Sequence, residues 1–514
     1  MINVLEKPAV NGASGCTSSM LQNVSRQGAT VLVSRGALLV LGLACNILLS
    51  RTLGPDGLGR FQLGFVLVQV VTSFCILGLD KALMRYFPLL EAKGSGGRRM
   101  LLVQGTGVVV AISVIFSVAL VLLAPALARS YFHSREMSGV VRMFCLYLPF
   151  FALVRFLGGA VAAVKRVDFG SKVTNILTPA LFLIGLAAVA FTHIGVYGAI
   201  VARSISMIVA TVVLASFLLR RIPNDEGRPP TPGNFKGYFS LSVPLFFVGL
   251  GYLLLGQMDI IMLGHFVDER EVGIYSVAVR ISAFVLLGLE IILPIVGPFW
   301  AQFAETQDTF SAGTLFSTVT KWISYAGLTI FVFIFVFRIE LLRVFGRGFE
   351  PGATVVLILC LGQLANAVSG PTGQLLSMSG KQRLEVINTV ATVGVNFVLN
   401  LLLIPRLGIT GAAIATGLSI ASINVIKLLQ VYFVFGLQPY SASYLKGLVA
   451  VSGAGLVCYA VRLMLLHTAT GAYGILLVAG LVFVITAAVA FWLVGLEEED
   501  KVALLAFRRR RPGS

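Results

Sequence analysis

Apolar runs of about 20 residues follow one another along nearly the whole chain, broken by short polar turns, and a helix of that length crosses about 30 Å of hydrocarbon. The runs are continuous. They lack the two-residue alternation and the roughly ten-residue length of a barrel strand. In lipid each segment must satisfy its own backbone N–H and C=O groups, which a helix does alone. The pattern therefore predicts an all-α polytopic membrane protein of about fourteen transmembrane helices. Six fall at 26–50, 57–80, 100–124, 137–163, 173–192 and 195–220. Six more fall at 238–264, 270–297, 312–338, 351–378, 384–404 and 408–435, and a last pair at 446–467 and 472–495. The first apolar run, Val31 to Leu49, is too long for a secretory leader and lacks an Ala-x-Ala end, so it is read as a retained span.

Two stretches of this pattern echo each other. RTLGPDGLGRFQLGFVLVQVVTSFCILGLDKALMRYFP (Arg51 to Pro88) is answered by LGHFVDEREVGIYSVAVRISAFVLLGLEIILPIVGPFWAQ (Leu263 to Gln302). In both, Leu-Gly opens a turn (Leu53-Gly54, Leu263-Gly264), a Gly-x-aromatic enters the next span, and a Gly-Leu-acid triplet follows, Gly78-Leu79-Asp80 and Gly288-Leu289-Glu290. The offset is 214 residues from Gly59 to Gly273, and 213 from Gly198 to Gly411 and from Asn175 to Asn388. One register held by distant segments implies a duplicated unit of roughly 210 residues. An even number of spans per copy makes the two copies a parallel repeat, related by an axis along the membrane normal. The reading is thus a polar N-terminal tail (1–25), an N-lobe (26–220), a linker rich in Pro, Gly and charge (221–236), a C-lobe (237–435), a terminal helix pair (436–495) and a basic tail (496–514).

Composition agrees with that architecture. The 514 residues are 57% hydrophobic and 12% charged, with mean hydropathy +0.93, whereas a soluble domain carries about 25% charged residues. The net charge of +17 sits mostly in short loops. With the N-terminus cytoplasmic, inner segments hold about twenty Lys and Arg and outer loops about nine, so the bias places both termini inside and removes the case for nucleic acid. Six cysteines are scattered in apolar runs without a CxxC, and read as small core residues. His133, His193, His265 and His467 are far apart in sequence and read as solvated loop histidines, so no metal site is expected. There is no GxxxxGK[ST], HExxH or G-x-S-x-G element of a soluble enzyme. A membrane-embedded polymerase or ligase would need a large outer loop with catalytic residues, and the predicted outer loops are all short.

What remains is charge inside the membrane, where a central Arg or Lys costs at least about 2.5–3.5 kcal/mol and tends to face water or a partner. Arg35, Arg155, Arg203, Arg280 and Lys321 fall deep in spans 1, 4, 6, 8 and 9. They are the candidate substrate-binding residues, with intramembrane ion pairing as the alternative. Acids are fewer: Asp80 ends span 2, Asp259 lies in span 7 and Glu290 in span 8, and these are candidates for coupling or ion pairing. Asp259 has three open readings: a coupling-cation ligand, an Arg partner, or a structural cap. Lys81 and Arg85 sit at an inner end and are candidates for the cytosolic mouth. Arg142 and Arg462, near outer ends, are read as structural, their long side chains reaching the interface. The excess of positive over negative charge suits an anionic substrate. Prolines in or beside spans, Pro371 among them, are expected to bend or break helices.

LGPDGLGRF, an apolar span and GLDKALMRYFP resemble the N-terminal signature of the polysaccharide transporter, or Wzx-like flippase, family, within the multidrug/oligosaccharidyl-lipid/polysaccharide exporter superfamily. IPRLGITGAAIATGLS (Ile404 to Ser419) resembles that family's hairpin of spans 11 and 12. The resemblance implies a non-enzymatic bacterial inner-membrane protein with two six-helix lobes and a central cavity lined by spans 1, 2, 7 and 8. It would move an undecaprenyl-pyrophosphate-linked oligosaccharide outward by alternating access, for exopolysaccharide, capsule or O-antigen. It implies no cofactor, leaves coupling to H+ or Na+ open, and suggests a polysaccharide polymerase and glycosyltransferases as partners. Two relatives in function stay open: a lipid II flippase, and a multidrug cation exporter whose cavity would be acidic.

Overall fold

The computed structural model describes residues 13–92, 98–192, 194–222, 234–306, 308–440, 443–466 and 472–494. Residues 1–12 of the predicted tail, most of the linker 221–236, the basic tail 496–514, His193 and His467 lie outside them. Among the described residues every regular element is helical: α1 (Ala13–Ile76), α2 (Leu79–Ala92), α3 (Arg98–Ser130), α4 (Glu136–Ala163), α5 (Val167–Lys172), α6 (Thr178–Ala190), α7 (Gly195–Arg221), α8 (Asn234–Phe266), α9 (Glu269–Ala283), α10 (Leu287–Thr306), α11 (Thr309–Phe345), α12 (Ala353–Ser369), α13 (Thr372–Met378), α14 (Gln382–Phe435), α15 (Ser443–Leu466) and α16 (Ala472–Val494). Nine stretches are long and apolar enough to cross a membrane, and two of them, Val33–Leu90 and Gln382–Phe435, bend at an internal glycine and serve for two passes each. Adding α11, α15 and α16 gives fourteen passes among the described residues, the number the apolar pattern predicts.

The breaks follow backbone chemistry. Gly54 (φ 65) and Gly408 (φ 55) are the non-helical points of α1 and α14, a region of backbone space that costs side-chain-bearing residues but not glycine. Each follows Leu, and the first is the turn predicted at Leu53-Gly54. Leu263-Gly264 differs: α8 runs through it, and the turn comes at Asp268, whose side chain accepts a hydrogen bond from the Glu271 N–H and caps α9. Both Gly-Leu-acid triplets do mark breaks. Positive φ at Leu77 and Gly78 separates α1 from α2, and a 3-10 turn at Phe284–Leu286 precedes Gly288. Predicted span 5 contains a π-helical turn, Val173–Leu177, and predicted span 10 is divided at Gly370 (φ 68) and Pro371.

The chain forms two compact units: residues 1–52 with 64–252, and residues 53–63 with 253–514. In the first, α4 carries the densest core, with Phe144, Tyr147, Leu148 and Phe156 fully buried. Gly64 and Gly105 leave room for the Phe144 and Phe156 rings. The fully buried Tyr238 of α8 donates its hydroxyl to the Leu79 carbonyl at 2.9 Å.

In the second unit two glycine-lined backbones cross. A methyl group on Gly59 would collide with the Glu269 carbonyl oxygen, and one on Gly273 with the Pro55 carbonyl oxygen. These are repeat-equivalent residues: Pro55 with Glu269, and Gly59 with Gly273, share the 214-residue offset. So do Asp56 and Arg270, which pair at 3.8 Å with about half of each side chain exposed. Trp300 and Phe316 centre a core shared by α10, α11, α13 and α14. The terminal pair α15–α16 joins α11 through Phe337, Cys458 and Phe483. Arg462 is not an interface-reaching side chain, as the sequence reading had it. It is 12% exposed and donates through Nε and Nη2 (2.9 and 2.8 Å) to Oε1 of Glu340, which is 1% exposed.

Gly59→Ala is expected to destabilise the protein by about 1–3 kcal/mol or more, because the obstruction is backbone and cannot turn aside. Gly107→Ala, where a methyl meets nothing within 4 Å, should be neutral or gain up to about 1 kcal/mol. Thermal unfolding in detergent compares them. Arg462→Met should cost about 3–5 kcal/mol by stranding a buried carboxylate, and adding Glu340→Leu should recover most of it. A double variant as unstable as the single one would contradict this account of the pair.

Candidate functional site

The densest intramembrane polar cluster in the second unit is built around Asp259 of α8. Its Oδ2 accepts from the Tyr275 hydroxyl of α9 and the Thr416 hydroxyl of α14, both at 2.6 Å. Its Oδ1 accepts from Asn400 Nδ2 at 2.8 Å. Asn400 Nδ2 also donates to Asn396 Oδ1 (3.0 Å), and Asn396 Nδ2 donates to Thr416 Oγ1 (3.1 Å), closing a ring. Tyr275 and Asn400 are fully buried. The break at Gly408 brings Asn400 and Thr416 level, since each lies eight residues from it on opposite arms of α14. One group in the ring is left over: Asn400 Oδ1 is buried and accepts nothing among the described residues. The Asp259 carboxylate, the spare Asn400 amide oxygen and the Tyr275 and Thr416 hydroxyl oxygens thus gather hard oxygen atoms at one place, held by the amide donors of Asn396 and Asn400.

The same face of α14 continues the polar file. Asn388, Thr392, Asn396 and Asn400 recur every four residues and are all buried, hence on one side of the helix. Asn388 and Gln430 exchange two amide hydrogen bonds, at 2.7 and 3.0 Å. One turn on, Lys427 donates to Glu385 at 2.6 Å. Lys427 is thus neutralised inside the second unit.

Each predicted residue has a definite place. Arg280 is half-buried and donates to the Gln62 side-chain oxygen at 3.0 Å, within the second unit. Lys321 is 4% exposed, enclosed by the protein rather than open to a chamber. Glu290 is exposed. In the first unit Arg35 and Arg155 are exposed, and Arg203 is half-buried with its guanidinium 4.8 Å from the Phe182 ring centroid and 5.7 Å from that of Phe65. Among the described residues none of Arg35, Arg155 and Arg203 forms an ion pair. Asp80 and Lys81 are half-buried in the first turn of α2, where Gly159 presses on the Asp80 backbone, and Arg85 is exposed. No group of three His, Cys, Asp or Glu suited to a metal occurs among the described residues.

Tyr275, Asn396, Asn400 and Thr416 were not singled out from sequence. Uncharged residues in an apolar run give no cost signal comparable to an Arg, but the four-residue spacing from Asn388 to Asn400 is a legible polar stripe.

A family profile described as polysaccharide biosynthesis protein matches residues 25–302, more than half of the chain. The chain belongs to the polysaccharide biosynthesis protein family. A MatE profile matches residues 244–402, which include Asp259, Tyr275, Asn396 and Asn400. The chain is similar to two proteins of Haloferax volcanii. It is 27% identical over 217 residues to a probable low-salt glycan biosynthesis flippase, Agl15, covering 42% of this chain and 46% of that one. It is 31% identical over 171 residues to a probable flippase, AglR, covering 32% and 35%. The chain thus spans less than half the length of these relatives. A lipid II flippase, MurJ, in an inward closed conformation has the same fold, with TM-score 0.69 and 12% identity over 90% of this chain and 97% of that one. The resemblance carried by LGPDGLGRF and its following span therefore holds, and with it the multi-pass membrane fold.

In this family member, Asp259→Asn would set an amide N–H against one of three donors. The expected loss of stability is about 1–3 kcal/mol, read as a lowered unfolding temperature. An unchanged temperature would mean that the three donors do not depend on the carboxylate.

Proposed function

We propose that the protein is a flippase that carries a lipid-linked oligosaccharide across the membrane, with no covalent chemistry of its own. The observation that carries the reading is that three arginines in apolar helices, Arg35, Arg155 and Arg203, have no acidic partner among the described residues. Such a set is costly in hydrocarbon and matches the phosphate and acidic sugars of a lipid-linked glycan. The likeness to Agl15, a probable flippase of low-salt glycan biosynthesis, supports the same substrate class, and the likeness to AglR supports the flippase activity. A cation exporter would need the opposite sign of charge.

The finer reading has the lipid carrier as undecaprenyl pyrophosphate, the setting as a bacterial inner membrane with both termini cytoplasmic, and the product as exopolysaccharide, capsule or O-antigen. Glycosyltransferases would supply the substrate and a polymerase would consume it. Residues 26–220 and 237–435 would be the two lobes that alternate access, with 436–495 as an added pair. A membrane potential positive outside draws the anionic headgroup outward by about 2.3 kcal/mol per charge at 100 mV. The Asp259 cluster would bind a proton or Na+ whose inward passage, also favoured by the potential, resets the carrier.

In a strain whose surface glycan depends on this protein, Arg35→Ala and Arg280→Ala are each expected to lower surface glycan at least about tenfold while protein level persists. Normal glycan in both strains would overturn the role. Intact glycan with new drug sensitivity on deletion would reassign the protein to drug export.

A further inference from the structure

We propose that the first unit contains a subsite for an oxyanion-bearing sugar, formed by Arg203, Arg155 and the Tyr147 hydroxyl above the rings of Phe65, Phe151 and Phe182. The proposal rests on the flippase reading and assigns part of its substrate to one place.

Helix periodicity sets the direction of each arginine. On α7 the exposed stripe runs through Val201, Ile205, Val212 and Leu219. Arg203 lies two residues from Val201 and seven from Ala210, a fully buried position, and so belongs to the opposite, inward face. On α4, Arg142 and Leu146 mark one exposed side. Arg155 is nine residues beyond Leu146, about two and a half turns, and so points the other way. Phe151 and Gly158 share that second face and are half-buried. Tyr147, Phe151 and Arg155 follow at four-residue spacing and so share one side of α4.

The Tyr147 hydroxyl is the second observation. Its side chain is fully buried, and the oxygen lies beside Arg203 without a well-formed hydrogen bond. A buried hydroxyl left unpaired is unfavourable. An oxyanion between Tyr147 and the two arginines would answer all three groups, accepting from the hydroxyl and from the guanidinium forks. Nothing else supplies that charge, because no acid pairs with either arginine among the described residues.

The rings argue for a sugar rather than a bare ion. Tyr147 and Phe151 stack with centroids 5.1 Å apart and 21° between planes, and Phe65 leans on each at 6.1 Å. Phe65 and Phe151 keep part of their faces open. A flat apolar floor beneath charged donors suits a ring whose C–H face is apolar and whose rim carries a carboxylate or a phosphate. Arg203, held over Phe182 and Phe65 by cation–π contacts, is oriented before the ligand arrives.

The test uses the full-length protein in lipid nanodiscs, titrated with methyl glucuronide, glucose 1-phosphate and methyl glucoside and read by saturation-transfer NMR. At least one charged sugar is expected to bind about tenfold tighter than the glucoside. Glucuronide ahead of glucose 1-phosphate would assign the site to an acidic sugar, and the reverse to a sugar-linked phosphate. Arg203→Gln should bring charged and neutral sugars within about twofold, and Tyr147→Phe should weaken only the charged ones, by about three- to tenfold. If Arg203→Gln fails to fold, Arg155→Gln, at an exposed position, carries the same expectation. Equal binding of all three sugars, or a charge preference that survives both arginine changes, overturns the proposal. A protein that shows the preference but moves no glycan keeps the subsite and loses the flippase reading. One that moves glycan without the preference does the opposite.

Discussion

A charge enclosed by apolar helices must be hydrogen-bonded, paired or matched by a ligand, because neither lipid nor packed side chains solvate it. In the second unit Asp259 receives three donors, Glu385 is met by Lys427, and Glu340 by Arg462. In the first, Arg35, Arg155 and Arg203 have no such partner among the described residues. The two units have thus met one constraint differently. The second answers these three carboxylates with donors or cations of its own, whereas these three arginines of the first meet no acid among the described residues.

At the tightest crossing of the second unit, residues 214 apart in sequence meet. Gly59 and Gly273 remove the side chain altogether. Asp56 and Arg270, at the same offset, carry opposite charges and pair. That ion pair is half exposed and adds little by itself, so backbone proximity at the glycines dominates the contact. The two Leu-Gly pairs differ. The first copy turns at Gly54, but the second carries four more residues before its Gly-x-aromatic and turns at a capped Asp268.

The polar ring around Asp259 depends on helix geometry at every step. Four-residue spacing puts Asn396 and Asn400 on one side of α14, and the fold at Gly408 returns Thr416 to the same level. The cap at Asp268 then starts α9 so that Tyr275, seven residues on, reaches the Asp259 carboxylate. None of these residues is costly to place alone. Together they hold a carboxylate that none of them could hold singly, and they leave one oxygen of Asn400 unanswered.

The sequence alone determined the all-helical multi-pass class and the break at Gly54, because apolar length and the freedom of glycine at positive φ are local properties. It also marked the arginines, since a guanidinium in an apolar run is conspicuous by cost. Which charges meet was decided by tertiary structure. Glu340 and Arg462 are 122 residues apart, Asn400 and Asp259 141, and Gln62 and Arg280 218. A partner brought from that distance changes what a charge means: Arg462 becomes part of a buried pair, Lys321 is enclosed, and Arg203 faces Tyr147. Periodicity gives a side chain its direction from the helix axis. Only the packing of helices tells what lies in that direction.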